Sequence, residues 1–244
     1  MKTLVLLLSF LVMQWCLILG QDQKKYTKVE LKEASELTGY KWTGYKWSAQ
    51  ISVGGILAGP SNKLEKALIN AEYNKSTRSI FSNDLISNPH SHGHIGYSVG
   101  LSRWLNKYFT VGLNYNKNSI ETTGYNGNNF IFFEYEIASF SPLAKFTPAE
   151  FLFLGAGPVF SVISQNQYGE KINSNNKLGL ALYSSLRFNK NTRRMFGFID
   201  LNYFLQGSEK VGPYIDNSTL QQDFPESKIN FSYGYVGVGL GFRF

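Results

Sequence analysis

The sequence holds three histidines, all within five positions, in the run His90-Ser91-His92-Gly93-His94. Imidazoles at i, i+2 and i+4 share one face of an extended strand and can converge on a transition metal, because a neutral ring nitrogen is a common metal ligand. His90, His92 and His94 are therefore the candidate metal ligands. Pro89 and Gly93 predict irregular backbone around them, so a polar loop end entering a strand is the competing reading. Ser91, Ser98 and Asp84 are the hydroxyls and the acid near enough in sequence to join a histidine in nucleophilic chemistry. No G-x-S-x-G elbow accompanies them, and residues 84–94 read mostly as loop, so spacing fixes no triad. A second set consists of charges: Glu134, Glu136, Arg187, Asp200 and Arg243 occupy the small-or-polar positions of four alternating segments. No cofactor motif is present.

The elements that must position these residues are strands. Ile51, Val53 and Leu57 alternate with Ser52 and Gly54; Tyr97, Val99 and Leu101 with Ser98, Gly100 and Ser102; Val111, Leu113 and Tyr115 with Gly112, Asn114 and Asn116. Phe133, Tyr135 and Ile137 alternate with Glu134, Glu136 and Ala138, and Leu180, Leu182 and Leu186 with Ala181 and Arg187. A period of two with one apolar and one small or polar face predicts half-buried strands. Eight are expected, near 46–59, 94–105, 108–118, 130–145, 150–163, 177–189, 194–206 and 229–244; pairing within the first long loop would raise the number to ten. Most exceed the ~5–6 residues of ordinary strands and suit a tilted bilayer crossing. Short connections at 106–107, 146–149 and 190–193 alternate with long ones at 60–93, 119–129, 164–176 and 207–228. That segregation predicts tight turns at one rim and long loops at the other. In the first long loop Leu64, Ala67, Leu68 and Ala71 have helical spacing, with Asn62 and Glu65 as a capping box.

The composition agrees. Of 244 residues 43% are hydrophobic, only 17% charged, and 16% aromatic. A disulfide scaffold, a zinc-finger protein and a charge-rich disordered chain are excluded by the single cysteine and the low charge. The net charge of +7 is spread without a dense basic run, which disfavours nucleic-acid binding. Residues 1–20 read as a cleaved secretory signal: Lys2 precedes an apolar run from Leu4 to Leu19, and Gly20 offers a small residue for cleavage. Cleavage there would remove Cys16. Residues 21–45 form a polar N-terminal segment expected in the periplasm, and 46–244 the barrel.

Val236, Val238, Leu240, Phe242 and Phe244 alternate with Gly237, Gly239, Gly241 and Arg243. With the loop pattern and the strand lengths, this segment resembles the small eight-stranded bacterial outer-membrane β-barrel proteins related to the OmpA transmembrane domain and OmpX. The resemblance covers roughly residues 46–244 and departs from those barrels in the first loop and the preceding tail. It implies an all-β, eight-stranded antiparallel up-and-down transmembrane β-barrel with a short helix in the first long loop. It also implies a Gram-negative outer-membrane location and a monomer, with Phe242 and Phe244 as the insertion signal read by the barrel-insertion machinery. A lumen filled by side chains follows, since eight strands leave just that much room. Glu134, Glu136, Arg187, Asp200 and Arg243 are then expected to point inward as a lumen charge network, because a lipid-facing charge costs a few kcal/mol. The expected role is non-catalytic, structural or surface-interacting through long extracellular loops with an unidentified protein partner. A lipid-modifying enzyme, a narrow pore and a metal-binding surface protein are the alternatives.

Overall fold

The computed structural model describes residues 46–75, 77–78, 85–86, 89–126, 130–149, 151–167, 170–188, 194–211 and 227–244. The signal and N-terminal segments expected at 1–45, and Asp84, lie outside the described residues.

Long strands form because alternate side chains have two different solvents: hydrocarbon on one face and a packed, polar lumen on the other. Eight such strands close a ring: β1 (Trp47–Ala58), β5 (Gly96–Trp104), β6 (Phe109–Tyr125), β7 (Phe130–Ala149), β8 (Leu152–Gln167), β9 (Glu170–Phe188), β10 (Met195–Leu205) and β13 (Tyr233–Arg243). All neighbours are antiparallel, and β1 pairs with β13 to complete the circle. Closure leaves no unpaired edge, the condition for a sheet to span a membrane. The remaining pieces are the two-residue β2 (Thr77–Arg78) and β3 (Leu85–Ile86), β4 (His90–Gly93), β11 (Ser208–Val211), β12 (Ser227–Asn230) and one helix, α1 (Ser61–Asn70). β2 pairs with β3 and β11 with β12, while β4 pairs with the upper part of β6.

A belt of exposed apolar side chains circles the barrel: Ile51 and Val53 on β1, Val99 and Leu101 on β5, Leu113 on β6, Leu180 and Leu182 on β9, Leu201 on β10, Val238 and Leu240 on β13. Behind it lie Gln50, Ser52, Ser98, Asn114, Ser139, Ser161 and Asn202, all buried. Only a lipid surround makes that inversion stable. No helix among the described residues is long and apolar enough to cross a membrane; the crossing is made by strands.

The sequence predicted loops at 119–129 and 164–176, and most of both are strand. β6 and β7 stay paired up to Tyr125↔Phe130, and β8 and β9 up to Gln167↔Glu170. β6 runs ten residues past Tyr115. At ~3.3 Å per residue and ~40° tilt, its tip stands ~25 Å above the belt. The four strands β6–β9 thus make a tall wall on one side, with polar outward residues such as Lys117, Ser119, Glu121 and Ser164. β1, β5, β10 and β13 are shorter.

The space within the wall is filled. Leu64, Ala67 and Leu68 of α1, with Tyr73, Ile229, Phe231 and Tyr233, join Ile120, Ile131, Phe133, Tyr135 and Ile137 in one buried cluster. The helix matches its expected position, but the capping box does not form. Pro60 is the N-cap, no side chain caps the helix, and Glu65 instead accepts the Ser91 amide at 2.9 Å. α1 is thereby tied to β4.

Candidate functional site

Among the described residues, the candidate side chains fall in two groups: one inside the barrel, one on the outside of the tall wall.

Inside, Asp200 is fully buried and Lys145 is 1% exposed. The Tyr183 hydroxyl donates to Asp200 Oδ1 at 2.9 Å and accepts from Gln50 Nε2 at 3.1 Å. Lys145 Nζ lies 4.1 Å from the centroid of the Tyr183 ring and donates to Ser102 Oγ at 3.2 Å. Toward the turn end, the Arg187 guanidinium stacks on Phe153 at 3.6 Å and Phe196 at 4.3 Å, and Arg243 meets Phe196 at 4.6 Å. Such cation–π contacts are strengthened by the dry surround. Above this layer a polar ladder crosses the lumen. Gln206 Nε2 donates to Ser161 at 2.7 Å and Ser139 at 3.2 Å, and the Tyr233 hydroxyl donates to Asn116 Oδ1 at 3.0 Å. Tyr233 and Phe204 stack with centroids 4.7 Å apart.

Arg187, Asp200 and Arg243 therefore point inward. Glu134 and Glu136 do not. On β7 the odd positions Ile131, Phe133, Tyr135, Ile137 and Ser139 are buried, so both glutamates face outward. The physical reason is that β7 changes surroundings along its length. Below, its outward Phe140 and Phe146 meet lipid; above, in water, its apolar residues turn inward against the α1 plug. The backbone parity is unchanged, and the apolar face switches sides. Glu136 pairs outside with Lys117 at 3.4 Å. The residues that sequence reasoning missed are Lys145, which sits beside the expected turn at 146–149, and Tyr183. Only continuation of the β7 alternation through position 145 could have found the lysine.

The three histidines do share one face, but it is the outer one. Counted back from the buried Gly96 and Ser98, even positions would point inward; between β4 and β5 the chain leaves strand geometry at His94–Ile95, and this irregularity reverses the alternation. The rings form a ladder, with centroids 5.0 Å apart for His90–His92 and 4.9 Å for His92–His94. His92 lies directly across from Glu121 of β6, and His94 Nε2 is 2.9 Å from Glu121 Oε2. One ligand atom each from His92, His94 and Glu121 fall within 4.8 Å of one another. Glu121 replaces His90 in the compact group; it was not singled out in the sequence, being 27 residues from His94. Ser91 points the opposite way, its hydroxyl 2.9 Å from that of Thr122, and Ser98 is buried against Asn114. The two serines and the histidines are thus on opposite faces of the sheet. Phe242 and Phe244 stack on the outer surface at the turn end, with centroids 6.3 Å apart, and the Phe244 and Trp47 amides exchange backbone hydrogen bonds.

No protein-family model matches the chain, and no curated protein matches it. Solved structures do. The chain is similar to the outer membrane protein OprG from Pseudomonas aeruginosa, at 11% identity and a TM-score of 0.54, covering 84% of this chain and 99% of that one. It is also similar to Neisserial surface protein A (12% identity, TM-score 0.44, 81% and 96% covered) and to Ail, the attachment invasion locus protein of Yersinia pestis (15%, 0.40, 82% and 99%). At such identities the likeness is one of fold. The fold is that of the small eight-stranded outer-membrane barrels.

Proposed function

We propose that this chain is a non-catalytic outer-membrane β-barrel whose lumen is closed by side chains and whose tall wall serves surface interaction. The observation that carries the reading is the filled interior: a charged and aromatic layer near the turn end, a polar ladder above it, and α1 with Phe231 and Tyr233 across the mouth. A barrel sealed at three levels offers an ion no continuous wet path. The outer-membrane fold of OprG supports the location, with the tall wall outside the cell and the short turns in the periplasm. Phe242 and Phe244 then sit where an insertion signal is expected. The wall is the described surface available to a protein partner, and outer-membrane lipid contacts the belt.

The test has two arms. Reconstituted in planar bilayers, the barrel is expected to give no current above that of the bare membrane; discrete conductance steps would overturn the closed lumen. Mass spectra of outer-membrane lipids with and without the protein are expected to match. A new acyl-chain or headgroup species would make it an enzyme.

A further inference from the structure

We infer that His92, His94 and Glu121 form a binding site for a divalent first-row transition metal on the outer face of the wall, bridging β4 and β6. Geometry brings the set together. His92 and Glu121 are cross-strand partners, and His94 reaches the same carboxylate from the irregular step between β4 and β5. Ligand atoms around a tetrahedral ion with ~2.0–2.1 Å bonds stand ~3.3 Å apart. The three observed here lie within 4.8 Å, and the His94–Glu121 pair is already at 2.9 Å. His92 is exposed, and a turn of its ring is what would close the remaining distance.

The electrostatics of the wall point the same way. Glu134 of β7 is the register partner of Glu121, on the same outward face. Like charges directly opposite on neighbouring strands are destabilising. Glu136, one step below, has Lys117 as its cation; among the described residues no lysine or arginine lies within ion-pair distance of Glu134 or Glu121. A divalent ion held by Glu121 and the two imidazoles would relieve that repulsion.

The donor set also selects the ion. Two imidazole nitrogens with one carboxylate suit Zn(II), Cu(II) or Ni(II); all-oxygen ligands would be needed for Ca(II) or Mg(II). Three protein ligands leave a coordination position open to water on the solvent side. This site is independent of the closed-lumen reading and survives if the barrel conducts.

His90 gives the discriminating experiment. Its ring lies 5.0 Å from that of His92, tilted by 37°, but outside the compact group. In a simple histidine-rich tract all three rings would count alike. Titration of the detergent-folded barrel with Zn(II) and Cu(II) is expected to show His92→Ala, His94→Ala and Glu121→Gln each losing at least ~10-fold in affinity, the low end of what even outer-shell changes cost. His90→Ala should stay near wild type. Cu(II) electron paramagnetic resonance should show two coordinated nitrogens in wild type and His90→Ala, and one in His92→Ala. Different gel mobility before and after boiling verifies that each variant is folded. Equal losses for all three histidines would overturn the site, as would undiminished binding by the urea-unfolded chain, in which Glu121 is no longer held beside the rings.

Discussion

Replacing Asp200 with alanine removes the carboxylate from a layer whose other buried charges, among the described residues, are Lys145, Arg187 and Arg243. Two losses follow. The Tyr183 hydroxyl gives up a hydrogen bond to a charged acceptor, worth ~1.5–3 kcal/mol. Lys145 loses its counter-charge. Lys145 touches the face of the Tyr183 ring and Asp200 its hydroxyl, so the two charges are at most ~10 Å apart, and at an effective dielectric of ~20 their attraction is at least ~1.7 kcal/mol. The expected total destabilisation of Asp200→Ala is ~3–5 kcal/mol, in the range for breaking a buried pair. Lys145→Met tests the cause. With the lysine already gone, removing Asp200 should cost less by at least ~1.7 kcal/mol. Urea unfolding in lipid vesicles, followed by fluorescence and by gel mobility without boiling, measures all four proteins. Strict additivity within ~0.5 kcal/mol would refute the idea that the two charges stabilise one another across Tyr183.

Three further outcomes are expected. A Cβ on Gly54 would fall 1.9 Å from the Val236 carbonyl oxygen at the closing seam, whereas on Gly55 its nearest neighbour is 3.8 Å away. Gly54→Ala should therefore lose the fast-migrating folded form on gels while Gly55→Ala keeps it; equal behaviour would contradict the seam. Leu240→Arg, in the middle of the belt, should cost ~2–4 kcal/mol in lipid vesicles, and Ser119→Arg on the polar wall close to nothing. Similar costs for both would show that the belt has been placed at the wrong height. Leu68→Ala at the fully buried centre of the plug should cost ~2–5 kcal/mol locally. Hydrogen exchange should then quicken in α1 and 229–233 but not in the belt strands; uniform quickening would mean that plug and barrel open as one unit.

The barrel could be read from the sequence wherever a strand has lipid on one side. Val99, Leu101, Leu113, Leu182 and Val238 alternate with small or polar residues, and all five face outward. Above the belt that rule loses its physical basis. Ser164 to Gln167 and Asn173 to Asn176 are polar on both faces, because they stand above the belt where neither face meets hydrocarbon; their composition reads as loop although they are paired strand. At Phe133 to Ile137 the apolar face is the inner one, so Glu134 and Glu136 face outward although the alternation assigns them to the lumen. The histidine ladder was visible as a spacing, but its outward direction depends on the irregular step at His94–Ile95. Glu121 could enter the group only through strand register, which no local pattern carries.

The seam has a kinetic consequence. Ser48 pairs with Arg243 and Ala49 with Phe242, so the bonds that close the ring join opposite ends of the barrel sequence. Pairings this remote have the highest contact order in the molecule, and loop-closure entropy must be met before they form. The hairpins β6–β7 and β8–β9 can assemble from local contacts, while the ring waits for β13. Until then β1 exposes an unpaired, half-apolar edge of the kind that templates aggregation. The slow step of folding should therefore be the meeting of β1 with β13, and it should be slowed further by any change that weakens that seam in the transition state.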